Sequence, residues 1–286
     1  MLLRLFAIPF LCMVAGASLA QQGAAALRAK HAELQNALAS NQFKSPLYLV
    51  STESAQSVSG NIYAVIRQPF ASTAAALERP AAWCEILFLH QNTKYCRPSA
   101  DVKNPVLNVV IGKKSDQPLE DAFRVDFSFA APVKTADYLQ VMLNADKGPL
   151  STRNYRITFE AVPLDASRTF IHLAYAYDFG MAGKLAMQLY LSTAGSDKVG
   201  FTVIGKQSDG TPQHVGGMRG VVERNTMRYY LAIDSHLGSL SAPPQSRIDK
   251  MLRDWYAATE RYALQLREME QAEYLAMKRR EYQRQS

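Results

Sequence analysis

Cysteine is scarce in this 286-residue chain, with three in all, and tryptophan scarcer, with two. So few cysteines exclude a disulfide-dense miniature scaffold. Neither sign of charge forms a block: 32 Lys and Arg face 25 Asp and Glu, for a formal net charge of +7. That excess is spread as +3 over residues 21–100, zero over 101–200 and small positive values beyond. Nucleic-acid binders concentrate their cations on one surface, so this dispersal argues against one. Past the N-terminal stretch there is no apolar run of about 18 residues, the length a membrane-spanning helix needs. There is no Gly-x-Ser-x-Gly elbow and no His-Glu-x-x-His zinc helix, and the histidines 31, 90, 172, 214 and 236 are scattered. Neither a cofactor nor a metal is expected.

What is present is the composition of a folded protein, 48% hydrophobic and 20% charged. Residues 1–20 have the plan of a signal peptide. A basic start at Met1–Arg4 precedes an apolar stretch from Leu5 to Val14, and Ser18-Leu19-Ala20 supplies a small-x-small cleavage site before Gln21. Export to the periplasm or the medium is expected, with no integral membrane segment in the mature chain. Removal of residues 1–20 takes Cys12 with it and leaves Cys84 and Cys96. In an oxidising compartment a disulfide is the favoured reading of that pair. Two buried thiols remain open, as does a metal site that would add His90 in Cys84-x5-His90-x5-Cys96.

Periodicity orders the rest. Leu27, His31, Leu34 and Leu38 form a narrow helical stripe over Ala24–Ser40. Strands are predicted at Leu47–Ser51 and Asn61–Ile66, separated by a Ser/Gln-rich turn ending at Gly60. Two short helices follow at Ala71–Leu77 and Ala81–Leu89, the second carrying Trp83. Further strands are predicted at Val106–Ile111, Phe123–Phe129, Tyr138–Ala145, Tyr155–Val162 and Thr169–Phe179. Phe123, Val125, Phe127 and Phe129 share one face, as do Tyr155, Ile157, Phe159 and Ala161, so these strands bury one side, as antiparallel sheets allow. Thr169–Phe179 is apolar on both faces and should be covered on each. Gly180–Ala194 reads as a helix with Leu185, Leu189 and Tyr190 on its apolar side, Val199–Ile204 as a short strand, and Val221–Leu237 as a helix. The glycines 216, 217 and 220 precede that helix beside Arg219, Arg224 and Arg228. They suit either an anion held at a helix start or a plain turn, and the plain turn is favoured. Arg247–Ser286 has no breaker. Ile248, Leu252, Trp255, Tyr262, Leu266 and Met269 make its seam, and beyond Ala272 it turns polar and is expected to fray or project.

The stretch Ile62-Tyr63-Ala64-Val65-Ile66-Arg67-Gln68-Pro69-Phe70, followed by Ala75-Ala76-Leu77 and Ala81-Ala82-Trp83, resembles the opening strand, strand-ending proline and helix pair of the helix-grip superfamily. That group comprises the START lipid-transfer, birch-pollen-allergen-like and polyketide cyclase proteins, and the resemblance runs over about residues 47–237. It implies an α+β fold, a curved antiparallel sheet wrapped on a long helix, with an apolar cavity between them. The segment Gly180–Ile204 and the terminal helices depart from the pattern. The expected organisation is a signal peptide at 1–20, an N-terminal helix at 21–44, the α+β domain at 45–242 and a helical extension at 243–286. The expected function is non-catalytic binding of a lipid or other hydrophobic small molecule. Phe127, Tyr155, Tyr175 and Tyr229 are the cavity candidates. His172, one polar group among small and apolar neighbours on its strand face, reads first as a satisfied core histidine and second as a polar contact in that cavity. Two alternatives stand beside it. One is an enzyme on an apolar substrate, using His172 or Asp178 for acid–base chemistry. The other is an oligomer or partner complex formed through the helical seam of residues 247–286.

Overall fold

The computed structural model describes residues 11–192 and 198–285. The start of the expected leader, Met1–Phe10, lies outside them, and the Ala20/Gln21 junction falls inside helix α1, Leu11–Ala39. Eight antiparallel strands form one sheet: β1 (Leu47–Glu53), β2 (Ser57–Ile66), β3 (Thr93–Pro98), β4 (Val106–Ile111), β5 (Phe123–Lys134), β6 (Leu139–Lys147), β7 (Thr152–Pro163) and β8 (Thr169–Phe179). Their spatial order is β1-β2-β8-β7-β6-β5-β4-β3. The chain thus runs from one edge pair to the other edge and returns strand by strand to meet β2. Helices α2 (Phe70–Leu77) and α3 (Pro80–Phe88) make the crossover. Pro69 ends β2 because it cannot continue the ladder, and Pro80 starts α3 where a missing N–H costs nothing.

Helix α5, Gly217–Ser239, lies across the inner face of this sheet, giving the α+β helix-grip arrangement. It comes very near β2. A Cβ on Gly60 would stand 2.3 Å from Thr226 Oγ1, so glycine is what lets the helix cross there. Gly60 therefore sits inside β2 rather than ending the preceding turn. The inner core joins Ile62, Leu139, Val141, Phe159, Leu173, Val222 and Ile233, with Trp83 donating its indole N–H to Leu77 O at 2.8 Å.

The outer face carries its own cover. Ala24, Leu27, Leu34 and Leu38 of α1 bury against Tyr138, Val162 and Phe170, and the His31 ring packs 4.8 Å from that of Phe170. Strand β8 is buried on both sides only at its start: its odd residues join the inner core along its length, whereas on the outer face Phe170 is buried under α1 and the even residues after it are half-buried.

The structure corrects four expectations. Thr93–Pro98, where the pattern predicts no element, is edge strand β3. The strand expected at Val199–Ile204 begins only at Val203: β9 (Val203–Lys206) pairs with β10 (Pro212–His214) in a small hairpin. Helix α4, Met181–Ser192, turns Leu185 and Leu189 to solvent rather than inward, and the Tyr190 side chain lies outside the described ones. The C-terminal segment breaks twice, into α6 (Pro244–Glu260), α7 (Ala263–Leu266) and α8 (Gln271–Gln283), and α8 packs on the domain rather than projecting.

The seam that suited a partner helix is consumed within the chain. Met251, Leu252, Trp255 and Leu266 are fully buried, and Trp255 donates to Arg228 O of α5 at 3.1 Å. Helix α8, polar by composition, lies over β3 because its polar groups find buried partners. Glu281 takes Lys94 of β3 at 2.9 Å and Lys278 at 2.8 Å, and Lys278 also donates to Thr93 O at 2.6 Å. Buried charges persist only when paired and hydrogen-bonded in this way. Cys84 and Cys96 form a disulfide that ties α3 to the same edge strand, so neither the free-thiol nor the metal alternative holds. Among the described residues no group of three or more His, Cys, Asp or Glu is placed to hold a metal ion.

Candidate functional site

Between the inner face of the sheet and α5 the core does not close. A cleft of about 700 Å³ remains, lined in part by the segment 112–122 and by Pro149 and Leu150. Period two explains its inner wall. Phe127 on β5, Tyr155 on β7, and Tyr175 and Tyr177 on β8 all point to the α5 side, and Tyr229 of α5 faces them. The rings form one connected set with the offset and edge-on geometries that aromatic pairs prefer. Tyr155 stacks on Tyr177 with centroids 5.2 Å apart, Tyr175 meets Tyr229 edge-on at 5.4 Å, and Phe127 meets Tyr155 edge-on at 6.3 Å. Burial holds these phenols protonated. Tyr155 is pushed up to about 12, opposed only by its hydrogen bond to Thr152, and Tyr175, Tyr177 and Tyr229 are also raised. The Tyr177 hydroxyl is buried without a hydrogen-bond partner among the described residues.

A polar cluster continues this wall. His90 lies 5.6 Å from the Tyr229 ring. Its Nδ1 accepts the Asn92 backbone N–H at 3.2 Å, which leaves Nε2 as the donor toward Asn225 Oδ1 at 3.4 Å. Burial, reinforced by Arg228, pulls its pKa down to about 3, so the imidazole is neutral at physiological pH. Arg228 reaches Glu268 at 2.6 Å and Leu266 O at 3.2 Å, while its buried Nε has no partner among the described residues. Glu268, on the linker between α7 and α8, also receives Lys114 at 2.7 Å and Lys198 at 3.5 Å. Burial would raise its pKa, but Arg228, Lys114 and Lys198 outweigh this and hold it at about 2.

The cleft's outer rim mixes charged and apolar groups, with Lys113 and Asp121 exposed beside two large apolar side chains. Phe123 and Leu150 line it and are 41% and 50% exposed. Leu150 and Ser151 both take left-handed backbone, φ 56° and 59°, which side-chain-bearing residues rarely adopt.

Four of the five cavity candidates, Phe127, Tyr155, Tyr175 and Tyr229, come together in this cleft; His172 does not. Its even-numbered position on β8 places it on the outer face. There Nδ1 meets Glu160 Oε2 at 2.8 Å, Nε2 meets Asn61 Oδ1 at 2.9 Å, and Tyr63 stacks on the ring at 4.3 Å. Tyr138 donates to the same Glu160. Burial raises the Glu160 pKa, yet His172 and Tyr138 more than reverse it. Asp178 shares that outer face, paired with Arg156 at 3.0 Å. Neither supplies acid–base chemistry to the cleft. Of the three glycines only Gly216 precedes α5; Gly217 opens the helix with φ 60° and Gly220 lies in its first turn, while Arg219 binds Ser51 and Arg224 reaches Val199 O. Sequence reasoning missed Tyr177, His90 and Glu268. Alternation from Tyr175 points to Tyr177, whereas nothing local marks Glu268.

No protein-family model matches the chain. No curated protein matches it either. Among solved structures, a conserved protein from Geobacillus kaustophilus is 10% identical, with 63% of this chain and 95% of that one covered, at a TM-score of 0.36. A norcoclaurine synthase from Thalictrum flavum is 12% identical over 52% of this chain and 87% of its own, at 0.33. The Zhui aromatase/cyclase from Streptomyces sp. R1128 is 10% identical over 74% and 96%, at 0.29. Likeness at this level carries no argument about what the chain does.

Proposed function

We propose that this is an exported binding protein of the helix-grip superfamily, holding a hydrophobic small molecule or lipid in the cleft between sheet and α5, without catalysis. The observation that carries the reading is the wall of Phe127, Tyr155, Tyr175, Tyr177 and Tyr229 lining about 700 Å³. That volume is typical of a small-molecule site, and an apolar surface with a few convergent polar groups is its usual lining. Catalysis is disfavoured by the state of the titratable groups. General acid–base work wants a pKa near the operating pH, whereas His90 is held at about 3 and Glu268 at about 2. Export is supported by the signal-like start, with processing at Ala20/Gln21, and by the Cys84–Cys96 disulfide, a bond of oxidising compartments. Among the described residues no helix is long and apolar enough to cross a membrane.

Native mass spectrometry of the protein purified from its exporting host, followed by solvent extraction, tests the reading. A stoichiometric apolar molecule is expected. A ligand-free protein whose crystal structure shows the cleft collapsed would overturn it.

A further inference from the structure

The polar cluster of the cleft is richer in cations than its role as a lining requires. Lys113, Lys114, Arg224 and Arg228 line it against two carboxylates, Asp121 and Glu268. Lys113 and Asp121 are exposed and Lys114 is partly exposed, but Arg224 and Arg228 are each 3% exposed, and a buried guanidinium is costly unless acceptors or an anion join it. The anion present is Glu268, and it comes from neither the sheet nor α5. The linker after α7 brings it in, 6% exposed, to meet Arg228 at 2.6 Å and Lys114 at 2.7 Å. Arg228 itself is 3% exposed and keeps one buried N–H, on Nε, without an acceptor among the described residues. The cleft therefore holds a carboxylate at the end of an aromatic wall, contributed by a separate segment of the chain.

From this geometry we infer that the cleft's ligand is an anionic amphiphile, and that its acidic head competes with Glu268 for Arg228 and Lys114. The apolar body lies against Tyr155, Tyr175 and Tyr177. Glu268 is then an internal placeholder: it keeps the cations neutralised when the cleft is empty and weakens binding of any acid that enters. This inference rests on the hydrophobic-ligand reading above and adds to it the charge of the ligand.

Two fluorescent dyes with the same aromatic body separate the two claims. Anilinonaphthalene sulfonate is anionic and phenylnaphthylamine is uncharged, and both are titrated into the full mature protein. Glu268→Gln is expected to raise the ratio of sulfonate to uncharged-dye affinity about tenfold, since it removes the competing charge. Lys114→Gln, at a partly exposed position, is expected to lower the same ratio about threefold. A ratio that stays fixed in Lys114→Gln, or falls in Glu268→Gln, overturns the inference while leaving the cleft reading intact. If neither dye binds the unsubstituted protein, both readings fail. Should Glu268→Gln not fold, the Lys114→Gln ratio alone decides.

Discussion

The two faces of the sheet use similar residues to opposite ends. Each presents aromatic rings, each is covered by a long helix, and each has a histidine beside a tyrosine. On the outer face α1 lies close, and Phe170, Tyr138 and Val162 fill the space beneath it. His172 there has both ring nitrogens engaged at 2.8 and 2.9 Å and a tyrosine flat against it. On the inner face α5 touches β2 at Gly60 but stands off from the β5–β7 side, where the cleft remains. His90 has one good hydrogen bond, and the Tyr177 hydroxyl and Arg228 Nε have none among the described residues. A satisfied polar network marks a packed layer; unsatisfied buried groups beside open volume mark a place for something else.

Substitutions that damage one face and spare the other sharpen this contrast. Phe170→Ala should cost the most, about 3–5 kcal/mol, because it empties a fully buried site beneath α1. Denaturant unfolding measures this, and binding of the uncharged dye should survive in the folded fraction. Replacing Cys84 and Cys96 by serine should cost about 3 kcal/mol, the chain-entropy value for a loop of this length. The bond ties α3 to β3, so its loss should lower the thermal midpoint, and a reductant should bring the parent protein down to the same value. His172→Leu should cost about 2 kcal/mol, the order expected when a charge-assisted hydrogen bond is lost. Its partner Glu160 is left mostly buried without that donor. Dye affinity should change less than twofold, which an active-site role for His172 would contradict.

The smallest effect near neutrality is a pH dependence. His90 has a folded pKa of about 3, below its unfolded value of about 6.5. On acidification the unfolded chain therefore takes up a proton that the native state refuses. Stability is full above the unfolded pKa and falls as the pH drops toward the folded one, by about 1 kcal/mol over the first pH unit. His90→Gln should flatten that part of the curve. An unchanged slope would mean that other groups dominate the acid limb.

Much of this contrast is legible in the sequence. Strands β4 and β8 have the bounds that their apolar runs define, but only the start of β8, where Phe170 lies under α1, is covered on both faces; the small residues Ala174 and Ala176 leave the rest of its outer face half-buried. The same period of two places His172 and Tyr175 on opposite faces, so both cannot line one cavity. Strand β3 is hidden because Lys94 and Arg97 make it read as polar. Its burial depends on Glu281, which is 187 residues away from Lys94. Helix α8 reads as a solvent-facing tail for the matching reason: Lys278 and Glu281 pair with each other and with β3, and pattern alone assigns such residues to solvent. Glu268 belongs to the same class. Its place in the cleft follows from how α6 and α7 fold back on α5, which no local signal encodes.

Whether the inner face holds a binding cleft and the outer face a filled layer is tested most directly by titrating phenylnaphthylamine into two variants. Val221 lines the cleft from α5, so Val221→Trp should obstruct it and sharply weaken dye binding at little cost in stability, whereas Phe170→Ala should lose stability and keep the affinity. Dye binding that stays at full strength in Val221→Trp and disappears with Phe170→Ala would contradict the account.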